Sequence, residues 1–240
     1  MTAEAWIVEA APNASTDDFV RPWLERCGRR VVTHRLGAPP VLPPPAGVQL
    51  VFVRYLNRAW RAWVERHRAR IHELAWFIDD DVFSPRASNG LPLRYRWKLL
   101  TRARWHLRWL ASQQARGLTS SHWLAWHYGD RLPTGLERLP MTSPYTVCAS
   151  PVAGSQRIFY HGSASHRAEH QWLRPVVETV LARRPAARFE VIADRRIARI
   201  YAGLDRVDCI LPMDWPTYRA WITDPGRAVG LAPMRDNPFN

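Results

Sequence analysis

The sequence predicts an α/β protein with parallel sheets and crossover helices, arranged as two domains. Three observations carry this. Short apolar runs rich in β-branched and aromatic residues alternate with stretches of helical period along the whole chain. The first half reads strand, helix, strand, helix, strand, an order that calls for parallel strands joined by crossovers. A stretch rich in Pro and Gly without sustained periodicity, Gly129 to Ala153, interrupts the alternation. The chain is therefore expected to divide within that linker, at residues 1–145 and 146–240; at 240 residues it can fill two modest cores.

Taken in order, Ala5 to Glu9 (AWIVE) and Arg30 to Leu36 (RVVTHRL) are strand-like, with a helix between them capped by Ser15 or Thr16 and favoured by Asp17 and Asp18 at its N-terminus. Gly37 to Gly47, GAPPVLPPPAG, is a loop because its prolines fix φ and remove donors. Gln49 to Leu56 is the strongest strand of the first half. Trp60, Val64, His67, Ile71 and Leu74 recur at helical spacing, and Ala75 to Phe83 (AWFIDDDVF) reads as a buried strand running into three acids.

Leu93 to Gln114 reads as one long helix. Leu99, Ala103, Leu107 and Leu110 fall on one face, with Lys98, Arg102, Trp105 and Trp109 nearly opposite. Gly117 to Tyr128 reads as a short strand and a short helix. The second half follows with strands at Arg157 to His161, Arg188 to Asp194, Val207 to Leu211 and Ala228 to Ala232, separated by helices that include His166 to Arg183 and Pro216 to Ile222.

The formal charge of +13 comes almost wholly from arginine, since Lys98 is the only lysine. Genome composition, an anionic membrane surface and nucleic acid are three sources for such a bias, and nucleic acid is the least expected. Cys27, Cys148 and Cys209 lie far apart without CxxC or Cys/His spacing, which argues against a disulfide framework and a zinc site. The N-terminal MTAEAWIVEAAP has neither a basic segment nor a long apolar run, and a cytoplasmic protein is expected, with peripheral contact to the inner membrane surface left open.

Several clusters bear chemistry. HGSASH follows a strand and precedes a helix, so its N–H groups can meet an anion where the helix dipole favours negative charge; a structural turn is the other reading. Gly162 permits close approach, Ser163 and Ser165 can donate, and His161 and His166 flank the turn. Asp79, Asp80 and Asp81 stand at a strand end, where a metal site, an acceptor or interdomain contact, and a strand-end cap are all open. The Trp105 and Trp109 face, with Lys98 and Arg102, suits either an anionic interface or internal packing. LPMDWPTY, Leu211 to Tyr218, can offer Met213 and Trp215 to a flat base.

In their order, VFVRYLN, WFIDDDVF, RYRWKLL and TSSHWLAWHY, then IFYHGSASH, FEVIAD, WPTYRAW and VGLAPMRDNPFN, the sequence resembles the bacterial group 1, family 4-like glycosyltransferases of GT-B fold. The resemblance implies two Rossmann-like domains, the second incomplete, because the family continues through a Lys and Glu segment and more β/α units. It implies transfer of a hexose, with retention, from a nucleotide diphosphate sugar as co-substrate to a saccharide or lipid-linked acceptor in surface-polysaccharide assembly, with no cofactor and no metal required. Gly162, Ser163, His166, Met213 and Trp215 would bind the donor. Asp79, Asp80, Asp81 and His161 would face the acceptor or cleft. Asp236 and Asn237 stand where the family carries the first glutamate of its paired-glutamate motif, so they are the catalytic candidates, and weak turnover is expected. Two rival readings are a metal-dependent GT-A-like transferase using Asp79 to Asp81 and a non-catalytic arginine-rich module for anionic membrane or nucleic acid.

Overall fold

A computed structural model of the chain describes residues 3–85, 93–142, 156–162, 166–222 and 227–233. They belong to two compact units, Met1–Pro144 and Tyr145–Pro238.

The first unit is built on a six-stranded parallel sheet made of β1 (Glu4–Glu9), β2 (Arg30–Arg35), β3 (Val48–Val53), β4 (Ile71–Ile78), β5 (Arg116–Thr119) and β6 (Leu136–Arg138). Its order is β2-β1-β3-β4-β5-β6, so the direction of winding switches between β1 and β3. β3 is buried at every position because both faces of the sheet are covered. Leu50 and Phe52 pack on one side with Trp60, Trp63 and Trp76, while Val51 and Val53 pack on the other with Ile7, Leu24 and Phe77.

Helix α1 (Arg21–Arg26) is preceded by a π-helical turn at Thr16–Val20. Neither Ser15 nor Thr16 caps this segment: the Asn13 side chain accepts from the Thr16 amide at 3.0 Å, and Ser15 donates its hydroxyl to Asp79. Helix α2 (Arg58–His67) is capped by Asn57, whose side chain accepts from the Trp60 amide at 2.8 Å. It stops at His67, short of Ile71 and Leu74. Those two belong to β4, where Ile71 pairs with Val48 and Leu74 with Leu50. A helix would bury only one stripe of IHELAWFI, whereas the sheet buries both faces of it.

The long helix expected over residues 93–114 is broken. α3 (Leu93–Arg102) ends before Ala103, whose φ of −129° is not helical; a 3-10 turn at Arg104–His106 follows, and α4 (Leu107–Ser112) resumes. The break dissolves the face shared by Trp105 and Trp109. Trp105 stays 52% exposed, while Trp109 is buried and donates its Nε1–H to Glu65 at 2.7 Å. Helix α5 (His122–Tyr128) then leads into the stretch expected to be linker, part of which is β6. Leu132, Leu136 and Leu139 are buried there, so these residues complete the core. Gly117 opposite has no room for a Cβ against the Gly135 carbonyl and Leu136.

The proline-rich loop is tied down by side chains. Asn57 Nδ2 donates to Gly37 O at 3.0 Å, Trp63 Nε1 to Pro40 O at 2.9 Å, and Arg70 Nε to Pro44 O at 2.6 Å.

The second unit holds a four-stranded parallel sheet, β10-β7-β8-β9, made of β7 (Arg157–Tyr160), β8 (Arg188–Ile192), β9 (Val207–Ile210) and β10 (Arg227–Gly230). Helix α6 (Arg167–Arg183) lays Leu173, Val177 and Leu181, four residues apart, against Tyr160, Phe189 and Val191, together with Ile197 of α7 (Arg195–Ile200). The opposite face carries Phe159, His161 and Glu190, met by Tyr218 and Trp221 of α8 (Trp215–Ile222). Among the described residues no helix is long and apolar enough to cross a membrane.

Candidate functional site

In the first unit the three acids follow the last residue of β4, at the carboxyl end of the sheet, yet each has a different environment. Asp79 receives two hydrogen bonds from Arg54, from Nε at 2.6 Å and from Nη2, and one from the Ser15 hydroxyl. Arg54 itself has φ +63°, a left-handed conformation that costs a non-glycine residue about 1 kcal/mol or more. Its amide donates to Phe77 O at 2.8 Å and its carbonyl accepts from Trp76 Nε1 at 3.2 Å, so the surrounding strand and the ion pair together hold it there.

Asp80 is pushed up to about 6 by burial and by the neighbouring Asp79 charge, with Arg54 opposing. Beside it, Tyr55 and Tyr95 are both raised, chiefly by burial, and the Lys98 ammonium lies 4.3 Å from the Tyr55 ring centre. Burial, then Arg102 and Arg54, lower the Lys98 pKa. Asp81 is buried and acts as a cap: it accepts from the amides of Phe83 and Ser84, each at 3.0 Å, and from the Tyr128 hydroxyl at 2.7 Å. Asp79 is thus paired with Arg54 and Asp81 with Tyr128, and among the described residues no group of three His, Cys, Asp or Glu is placed to hold a metal ion.

Sequence reasoning missed Arg54 and Glu9 at this edge. Glu9 ends β1, is buried, and accepts from Thr16 Oγ1 at 2.7 Å and Asn13 Nδ2 at 3.0 Å; burial raises its pKa, with Thr16 opposing. The available signal was position, a charged residue directly after an apolar strand on each side of the winding switch.

In the second unit β7 ends at Tyr160, and His161 and Gly162 follow it. A Cβ on Gly162 would collide with the Tyr160 phenol, so any larger residue there would have to displace that ring. The Gly162 carbonyl lies 3.3 Å from His170 Nε2, which must carry the proton; His170 Nδ1 then accepts from the Tyr201 hydroxyl at 3.1 Å. Ser163 and Ser165 lie outside the described residues, as do Asp236 and Asn237. His166 is half-buried just before α6, with Nδ1 3.9 Å from Glu169. One residue on, Arg167 joins Arg196, Arg199 and Ile200 in lining a cleft of about 350 Å³. Arg167 opens α6, whereas Arg199 and Ile200 stand at the end of α7, whose first amides, those of Arg196 and Ile197, are capped by Asp194 at 2.9 Å each.

His161 is drawn inward, its side chain 5% exposed. Nε2 lies 3.3 Å from Glu190 Oε1 and Nδ1 lies 3.2 Å from the Tyr218 hydroxyl. A carboxylate only accepts, so Nε2–H donates and Nδ1 accepts from Tyr218. Burial lowers the His161 pKa, with Glu190 opposing. Glu190 also accepts from Arg227 Nε at 2.6 Å and from Arg157 at 3.4 Å, and the Arg227 guanidinium lies 3.6 Å over Trp221. Neither Glu190 nor Arg227 was singled out in the sequence. Met213 is half-buried in the loop after β9, and Trp215 opens α8 with its ring stacked on Tyr218 at 5.7 Å. A chain of contacts therefore links Trp215, Tyr218 and His161, which precedes Gly162. Compared with protein-family models and with curated proteins, the sequence matches none of them.

Proposed function

We propose that this protein is a glycosyltransferase of the two-domain GT-B type, moving a hexose from a nucleotide diphosphate sugar to a polysaccharide or lipid-linked acceptor. The observation that carries the reading is the carboxyl edge of the second sheet. There Gly162 follows β7, and Arg167, which opens the 17-residue helix α6, borders an arginine-lined cleft with Arg196 and Arg199 of α7. The N-terminal dipole of α6 and the charges of Arg167, Arg196 and Arg199 favour the same negative charge, as a leaving diphosphate requires. The parallel sheet of the first unit, with polar groups gathered at its carboxyl end, is the kind of edge at which α/β folds hold a second substrate. Catalysis in this reading rests on positioning both substrates and stabilising the leaving group.

Calorimetric titration of the chain with UDP, GDP and ADP tests it. One of them is expected to bind, and Arg167→Ala combined with Arg196→Ala to weaken it about tenfold, the loss of roughly one charge-assisted contact. Failure of all three to bind, or indifference to the double substitution, overturns the reading.

Peripheral contact with an anionic membrane is a second reading. Leu93, Trp97 and Trp105 are exposed on α3 and the turn after it, among arginines, as an interfacial segment requires. Flotation with anionic against neutral vesicles tests it, and equal behaviour with both would remove it.

A further inference from the structure

A second cationic cleft lies in the first unit, where the N-terminus of α2 meets the end of α3 and the 3-10 turn after it. The Leu56 amide donates to Arg102 O at 2.7 Å and fixes this junction. The cleft, of about 410 Å³, is lined by Asn57, Arg58, Arg61, Arg102, Trp105 and His106, with Leu56 and Thr101; among these described residues none is acidic.

Two buried polar atoms on its lining residues have no hydrogen-bond partner among the described residues: Nε of Arg61 and Nδ1 of His106. His106 is only 3% exposed, so solvent does not supply the missing bond freely. Its other nitrogen lies 3.1 Å from the Thr101 carbonyl, which only accepts, so Nε2 carries the proton. Burial and the charges of Arg61 and Arg58 lower the His106 pKa, with Thr101 opposing, and the ring is neutral with a lone pair on Nδ1. Two residues that line the cleft thus each keep a buried polar atom unfilled, a donor at Arg61 Nε–H and an acceptor at His106 Nδ1, under a field of arginines. A phosphate group that retains a proton satisfies both at once: its P–OH donates to Nδ1 and its anionic oxygens accept from Arg61, Arg58 and Arg102. Sulfate, which has no proton to give at neutral pH, satisfies only the donors.

We propose that the cleft between α2 and the end of α3 is a binding site for a phosphate group, with Arg61 and His106 as its floor, Arg58 and Arg102 as its rim and Trp105 as a wall beside it. The site does not rest on the glycosyltransferase reading, and it involves other residues than the Arg167 and Arg196 cleft.

The test is calorimetry with inorganic phosphate and with sulfate, and flotation with phosphatidic acid in phosphatidylcholine vesicles, at neutral pH. It uses the whole chain and the variants Arg58→Gln with Arg102→Gln, both exposed, and Arg66→Gln as a control on the same helix. Phosphate is expected to bind more tightly than sulfate, and the rim double variant to weaken it about tenfold or more while the control stays within about twofold. Binding of phosphatidic acid vesicles alone, lost in the rim variant, supports the site with a lipid headgroup as the source. Equal affinity for sulfate and phosphate overturns the proposal, as does binding indifferent to the rim variant or no binding of any probe, which would leave the two buried atoms to water.

Discussion

The two sheets hold their acids in different ways. In the first, Asp79, Asp80 and Asp81 lie just past the end of β4, where the chain is free to turn and each carboxyl finds its own surroundings: Arg54 and Ser15, burial, and two backbone amides with Tyr128. In the second, Glu190 sits inside β8, with its strand neighbours β7 and β9 on both sides, and is reached by Arg157 of β7, His161 just after it and Arg227 of β10. At the strand end the donors are divided between Asp79 and Asp81, and only Asp81 takes any from its neighbours in sequence, the Phe83 and Ser84 amides; Ser15, Arg54 and Tyr128 come from far along the chain. Within the central strand a single carboxylate gathers all three partners, and the sheet must form before they meet.

That contrast predicts a ranking of substitutions. Glu190→Ala removes the carboxylate facing Arg227, whose side chain is 3% exposed, and His161, and we expect it to cost about 3–5 kcal/mol in urea denaturation of the second unit. A loss below about 1 kcal/mol would break the comparison, because Glu190 would then be no more demanding than a strand-end acid.

Asp80 comes next and has the opposite sign. Its folded pKa of about 6 is above its ordinary 3.8, so the folded state holds the proton more tightly. Stability should rise as pH falls through about 6 and level off near 4, by an amount on the order of 2 kcal/mol for a half-buried carboxyl. Asp80→Asn should remove that part of the slope and stabilise the neutral-pH protein. A pH profile identical to that of the unsubstituted chain would show that Asp80 is solvated like a surface acid.

Tyr128→Phe deletes one of the three donors to Asp81 and should cost about 1–2 kcal/mol, with the two amide bonds left to hold the turn. The smallest effect separates strain from charge at Arg54. Arg54→Gly and Arg54→Ala both lose the ion pair, but only alanine keeps a Cβ at φ +63°, so the glycine variant should be more stable by about 1 kcal/mol. Equal stabilities would mean that the left-handed turn relaxes once Asp79 lets go.

The parallel architecture was legible because strands buried on both faces leave long apolar runs, as in VQLVFV and LAWFI. Boundaries were harder where two periods overlap: Ile71 and Leu74 continue the spacing of α2, and only their pairing with Val48 and Leu50 decides for the strand. The break at Ala103 left no mark in composition, since alanine is the best helix former; tertiary burial of Trp109 overrides it. At the sites, the acids after β4 and the glycine after β7 stood out as local patterns. Arg54, Glu190 and Arg227 did not, because what sets them apart is a left-handed angle in one case and partners some 30 to 40 residues away in the others.

The proline-rich excursion between β2 and β3 has a consequence for how this unit orders itself. Its five prolines between Gly37 and Gly47 restrict the unfolded chain already, so less freedom remains to be lost on folding. Asn57, Trp63 and Arg70 then fasten its carbonyls from α2 and the turn after it. Val41 and Leu42 are largely exposed at its tip, a place where proteases ordinarily find a supple substrate. Here they meet a segment stiffened before folding and clamped after it, and the first cut in a limited digest should fall elsewhere.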